Sequence, residues 1–94
     1  MKVHWSARAR RDLLDILEFI AGENPDQAHA VVDDIAEAAG RLEFHPAMGR
    51  PGRVAGTREL VLPRRGFILP YRIDGDTIMV LRVIHTSRDW PGGM

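Results

Sequence analysis

The chain has 94 residues, 13 Lys+Arg balanced by 13 Asp+Glu, 45% hydrophobic residues and no cysteine. That length holds one domain, taken as residues 1–94, and the missing cysteine excludes a disulfide framework and a thiolate zinc site. The longest apolar run, Ile78 to Leu81, is far too short for a membrane span. The opening MKVHWSARAR has no apolar stretch of signal-peptide length, so a cytoplasmic protein with no membrane partner is expected.

The neutral total hides a polarity along the chain. Residues 1–47 carry five basic against nine acidic residues, a net of −4, while residues 48–94 carry eight arginines against four acids, a net of +4. Lys2 is the one lysine among the basic residues. Arginine grips phosphate or carboxylate with a planar two-pronged fork that lysine lacks.

Lys2-Val3-His4-Trp5 reads as a short strand closed by Ser6, a favoured N-cap. A helix is expected over about Ala7 to Ala21, where Leu13, Ile16, Leu17 and Ile20 recur at the helical period and Gly22 follows. Arg8, Arg10 and Arg11 stand at its positive end, each costing about 0.3–1 kcal/mol. They either reach carboxylates such as Asp12 and Asp15 or serve a partner. Asn24-Pro25, with Gln27 at the third helical position, announces a second helix. Its stripe of Ala28, Val31, Val32, Ile35, Ala39 and Leu42 runs to about Phe44, and His45-Pro46 stops it. Two helices joined by a tight turn make a helical hairpin.

Residues 46–57, PAMGRPGRVAGT, read as a loop. The period then changes to two, giving strands Arg58–Leu62, Phe67–Ile73 and Thr77–His85, joined at Pro63–Gly66 and at the hairpin dipeptide Asp74-Gly75. With Ile73 and Asp76 flanking that turn, one sheet face should carry Phe67, Leu69, Tyr71, Ile73, Ile78, Val80, Arg82 and Ile84. The other should carry Ile68, Pro70, Arg72, Thr77, Met79, Leu81, Val83 and His85. Pro70 cannot donate to a ladder, so its strand should be bulged or at an edge there. The fold class is α+β: an N-terminal strand, a helical hairpin, then a three-stranded antiparallel meander. The hairpin can cover one sheet face, and an apolar second face rimmed by Arg72 and His85 reads as a partner surface.

No phosphate-cradling glycine loop, no nucleophile–base triad and no paired carboxylates can be argued from spacing. His4, His29, His45 and His85 have no ligand spacing, so neither a metal nor a cofactor is expected. Arg58, Arg64, Arg65, Arg72 and Arg88 are candidate contacts to phosphate or to an acidic partner, the bland alternative being a solvated basic face. Arg82 is read as structural. His85 could serve as a general acid or base, or simply pack at the end of its strand. Trp90 could stack on a base or pin the tail, and Tyr71 and Met79 read as core.

Several stretches resemble, in order and spacing, the RelE/ParE superfamily of bacterial toxins. They are Trp5-Ser6-Ala7-Arg8-Ala9 with Asp12-Leu13 and Ile16, then Asn24-Pro25 with Ala28, then the run from Leu42 to Arg50. Gly56-Thr57-Arg58-Glu59-Leu60 and the run Ile78 to His85 complete the match, which covers about Val3 to Pro91. The resemblance implies a growth-inhibiting toxin of a type II toxin–antitoxin pair, associated with plasmid stabilization. A cognate antitoxin would neutralise it by laying a segment over the exposed sheet face and helices, with Ile68, Met79, Leu81 and Val83 as candidate antitoxin contacts.

Two activities occur in that superfamily. The RelE branch cleaves mRNA in the ribosomal A site, and the ParE branch poisons DNA gyrase. Here the resemblance places Ile68 at the nuclease branch's catalytic arginine position and Trp90 nearest its C-terminal tyrosine. The arginine after the last strand falls near His85-Thr86, with Arg88 as a substitute in shifted register. Gly49-Arg50-Pro51-Gly52 lacks the glutamate of a related nuclease branch. The expectation is therefore a ParE-like gyrase inhibitor with the arginines as contacts. A ribosome-dependent mRNA endonuclease using His85 and an inactive antitoxin-binding module are the alternatives.

Overall fold

Elements follow one another as β1 (Lys2–Trp5), α1 (Ala7–Ala21), α2 (Pro25–Arg41), β2 (Arg50–Pro51), β3 (Arg58–Leu62), β4 (Phe67–Asp74), β5 (Thr77–Val80) and β6 (Ile84–His85). The computed structural model describes residues 1–86. Ser6 caps α1 by accepting the Ala9 amide at 3.0 Å, and Asn24 caps α2 by accepting that of Gln27 at 3.1 Å. α2 stops three residues before the expected Phe44. The Glu43 and Phe44 amides bond back to the Gly40 and Arg41 carbonyls, which tightens the last turn. Phe44, 79% exposed, gives no burial that would prolong the helix.

The sheet runs β1-β5-β4-β3-β2, with β6 also on β4. The expected antiparallel meander is β3, β4 and β5. β1 lies parallel to β5, with Val3 opposite Ile78, so the sheet is mixed. Arg50 and Pro51, read as loop from their glycine-rich surroundings, form a short edge strand against Glu59 and Arg58.

The β4–β5 turn sits one residue later than expected. Asp74 pairs with Thr77, so the loop residues are Gly75 and Asp76, and Gly75 takes the positive φ of +60° at the first loop position. Pairing thereby shifts by two positions, which leaves the face assignments intact as far as Val80.

Beyond Leu81 the faces reverse. Tyr71 pairs with Val80 and Phe67 with His85, so residues 68–70 oppose residues 81–84, one residue more. This is a β-bulge, and Pro70 accounts for it. Its carbonyl accepts the Leu81 amide at 2.8 Å. Having no N–H, it returns nothing to the Leu81 carbonyl, which accepts the Ser6 hydroxyl at 2.9 Å instead. The extra residue turns Val83 and His85 onto the Phe67 face and Ile84 onto the Ile68 face, the reverse of the expectation for all three.

The core lies between the hairpin and the inner sheet face. Ile16 of α1 and Val31, Ile35, Ala38 and Leu42 on the α2 side meet Leu60, Phe67, Leu69, Tyr71, Ile78, Val80 and Val83, with Trp5 and Leu13 at the margin.

Candidate functional site

Because the hairpin packs on the inner face, the alternating outward residues of β4 and the bulge lie uncovered by either helix. Ile68, Pro70, Leu81 and Ile84 floor a cavity of about 340 Å³, walled by Arg53, Val54 and Thr57 of the β2–β3 connection and by Glu59 and Arg82. Its shape is set by two buried carboxylates. Glu59, 8% exposed, accepts Arg50 Nε at 3.1 Å and Nη2 at 3.0 Å, and the Arg53 amide at 3.3 Å. Asp12, also 8% exposed, reaches across from α1 and accepts the Val83 amide at 2.9 Å and Arg82 Nε at 2.8 Å. Arg8 donates to the same carboxylate at 3.4 Å, as the sequence allowed. Backbone amides and guanidinium groups satisfy both acids, so burying their charge is compensated.

Neither acid stood out as a scaffold for the site in the sequence. The available signal was local: a glutamate at an outward position inside Arg58-Glu59-Leu60-Val61-Leu62, and an aspartate following three arginines on a helix.

Of the candidate contact residues, Arg58 is spent within the fold. It donates to the Gly49 carbonyl at 2.7 Å and the Ala47 carbonyl at 3.3 Å. Beside it the Tyr71 hydroxyl donates to the Pro46 carbonyl at 2.7 Å and accepts the Gly49 amide at 2.9 Å. A Cβ on Gly49 would lie 2.7 Å from the Tyr71 ring, so only glycine lets the loop close over it. Arg72 pairs with Asp74 at 2.6 Å near the far end of β4, and Arg82 is structural through Asp12. Met79 is half-buried on the outward side of β5 and pairs in register with Arg72. Leu81 lies half-buried on the outward face and Ile68 beneath it is 7% exposed, whereas Val83, expected beside them, is 3% exposed in the inner core. Arg88 and Trp90 lie outside the described residues.

The structure gathers Arg64, Arg65 and His85 at a second place. They line a cavity of about 470 Å³ between the α1–α2 turn and the β3–β4 turn, with Glu23, Asn24 and Gln27 on the opposite wall. Arg65 Nε bonds Asp34 at 2.7 Å. The His85 ring stands edge-on to Phe67, with centroids 4.7 Å apart and planes at 80°. Among the described residues no three His, Asp or Glu side chains converge as a metal centre requires, and no helix is long and apolar enough to cross a membrane.

Residues 3–90 match the model of the family described as ParE toxin of type II toxin-antitoxin system, parDE. The chain belongs to the ParE toxin family. This ParE-family toxin is 43% identical over 90 residues to Y4kP of Sinorhizobium fredii, a protein named as a toxin, covering 96% of this chain and 93% of the relative. It is 30% identical over 86 residues to the toxin RelE3 of Caulobacter vibrioides, covering 89% and 92%. Among solved structures, a chain of the chromosomal ParDE system from P. aeruginosa superposes with a TM-score of 0.84 at 32% identity, covering 92% of this chain and 96% of that one. A chain of the toxin–antitoxin complex RelBE2 from Mycobacterium tuberculosis gives 0.62 at 32% identity, covering 89% and 95%. The ParE-family chain is thus a type II toxin with the α+β fold of both systems.

Proposed function

We propose that this ParE-family toxin is restrained by a cognate antitoxin whose segment covers the bare sheet face, and that in its absence the toxin inhibits DNA gyrase in the cytoplasm. The observation that carries this reading is the chemistry of that face. Its floor offers apolar contact through the half-buried Pro70 and Leu81, with Ile68 and Ile84 beneath them at 7% exposure. Of the three charged groups at its walls, Arg82 and Glu59 are engaged by Asp12 and Arg50, and Arg53 is the third. An apolar floor whose Arg82 and Glu59 are already paired suits burial by a protein segment better than acid–base cleavage of a phosphodiester, which needs poised proton donors and acceptors and groups that stabilise the phosphate. The superposition on the ParDE chain at a TM-score of 0.84, against 0.62 for the RelBE2 chain, supports the same branch.

A supercoiling assay tests it. With purified gyrase the toxin should cause cleaved DNA to accumulate, and the antitoxin encoded beside it should reverse the effect. A second reading, a ribosome-dependent mRNA endonuclease, draws on the 30% identity to RelE3 and on the grouping of His85 with Arg64 and Arg65. A-site cleavage in ribosome-programmed primer extension, abolished by His85→Ala, would establish that reading and overturn the gyrase one. Soluble, folded protein whose induction leaves growth unchanged would mark an inactive antitoxin-binding module.

A further inference from the structure

Four of the eight exposed large hydrophobic residues among the described ones gather at one end of the molecule. They are Met1, Phe44, Met48 and Ile73, and Phe44 is the most exposed of all eight. The cause is the place where α2 stops. After Arg41 the chain crosses the end of the inner sheet face, held at one side by the Met1 amine on the Glu43 carbonyl at 3.2 Å and at the other by the Tyr71 hydroxyl on the Pro46 carbonyl at 2.7 Å. Ile73 stands two residues beyond Tyr71 on that face, in a row with Val3 and Ile78, past the end of the cover.

The same end carries charges of both signs. Lys2 and Arg41 are exposed there, as are Glu43 and Asp76. The Lys2 amide bonds the Asp76 carbonyl at 3.2 Å, and the Phe44 and His45 amides bond the Arg41 carbonyl at 3.2 and 3.1 Å, so all four rim the apolar residues. Arg41 reaches Glu37 of its own helix only at 4.0 Å. Two positive and two negative groups leave the rim neutral, which favours neither a strongly acidic nor a strongly basic partner. Such a rim suits a surface that meets a copy of itself, where each positive group finds a negative one across a two-fold axis.

We propose that this end is a homodimer interface, in which two copies of the chain meet about a two-fold axis with Phe44 of each against Met48 and Ile73 of the other. Phe and Met are residue types that interfaces favour, and the unbranched Met side chains adapt their shape to an incoming ring. Contiguous exposed apolar surface of this kind marks an interaction site. Four side chains make a patch below the ~800 Å² per partner of a standard interface, so the dimer is weak and forms at high concentration. The patch lies on the helix-bearing side of the sheet and leaves the outer face open to the antitoxin. The inference is independent of the gyrase reading.

Sedimentation equilibrium of the whole chain, up to about 1 mM, tests the proposal. The wild type should pass reversibly from monomer to dimer, with a dissociation constant on the order of 100 µM. Phe44→Ser, at an exposed residue, should leave thermal unfolding unchanged and raise that constant about tenfold or more. Phe44→Leu should fall between the two, because it keeps an apolar knob and loses the ring. Val54→Ser, which removes an exposed apolar side chain at the wall of the outer face, should dimerise as the wild type does. The chain has no cysteine of its own, so Met48→Cys treated with a short bismaleimide should give a covalent dimer, and Val54→Cys should stay monomeric. A wild type that remains monomeric at about 1 mM overturns the proposal, as does a dimer that Phe44→Ser leaves intact or that Val54→Ser weakens equally. Cross-linking through Val54→Cys in place of Met48→Cys, or a mass that grows past two chains without a plateau, would overturn it too.

Discussion

The Asp12 carboxylate on α1 accepts the backbone amide of Val83 at 2.9 Å, 71 residues away in sequence, and so fastens the helical hairpin to the bulge that flips the sheet faces. Asp12→Ala would leave that buried amide and the Arg82 guanidinium without their acceptor. The expected cost is about 2 kcal/mol, or roughly 8–16 °C in Tm for a domain of this size. Urea unfolding measures it, and a loss under 0.5 kcal/mol would show that the bulge is held by Pro70 and Ser6 alone.

Tyr71 carries the 46–50 loop on its hydroxyl. Tyr71→Phe removes one donor and one acceptor and leaves the buried Gly49 amide unpaired, which should cost about 1–3 kcal/mol. Gly49→Ala should cost a similar amount by overpacking, since its Cβ would sit 2.7 Å from the Tyr71 ring. Combined with Tyr71→Phe, Gly49→Ala should cost less than the sum of the two, because Tyr71→Phe also removes the hydroxyl that the new Cβ would meet at 2.7 Å. Strict additivity in equilibrium unfolding would refute this coupling.

Gly75 holds the β4–β5 loop at φ +60°. With open space around its missing Cβ, Gly75→Ala should lose only the backbone preference, about 1–2 kcal/mol. Calorimetry would show a lowered Tm, while hydrogen-exchange protection along β4 should remain.

Leu81 lies half-buried on the floor of the bare face. Leu81→Glu places a carboxylate where the antitoxin segment is proposed to bury apolar surface. Co-purification with the antitoxin should fail while the circular dichroism spectrum stays that of the wild type. Retained 1:1 capture on an affinity column would move the antitoxin to another surface.

The elements that local chemistry controls were legible. The caps at Ser6 and Asn24, the helical periods that bury Ile16 and Ile35 and the alternations Leu60/Leu62 and Phe67/Leu69 are written within a few residues of where they act. Pro70 announced a disturbed ladder on its own strand, but β4 is neither an edge nor the bulged strand, and the extra residue lies opposite it within 81–84. That depended on Ser6 and Asp12, distant residues that supply the hydrogen bonds a regular ladder would have made. The same distance hid the arginines' roles. Arg58 and Arg64 read alike in sequence, and only the fold sets one against the Gly49 carbonyl and leaves the other at an open cavity.

The parallel pairing of β1 with β5 bears on synthesis. Val3 and Ile78 are seventy-five positions apart, and at about 5–20 residues per second a ribosome needs roughly 4–15 s to make the stretch between them. Until then β1 has no strand beside it, and Ile78 and Val80 have yet to enter the core. Leu81 and Ile84, which floor the bare face, emerge later still. The surface proposed for the antitoxin thus exists only after residues 81–84 have been made, and a nascent chain that stops short of them cannot present it.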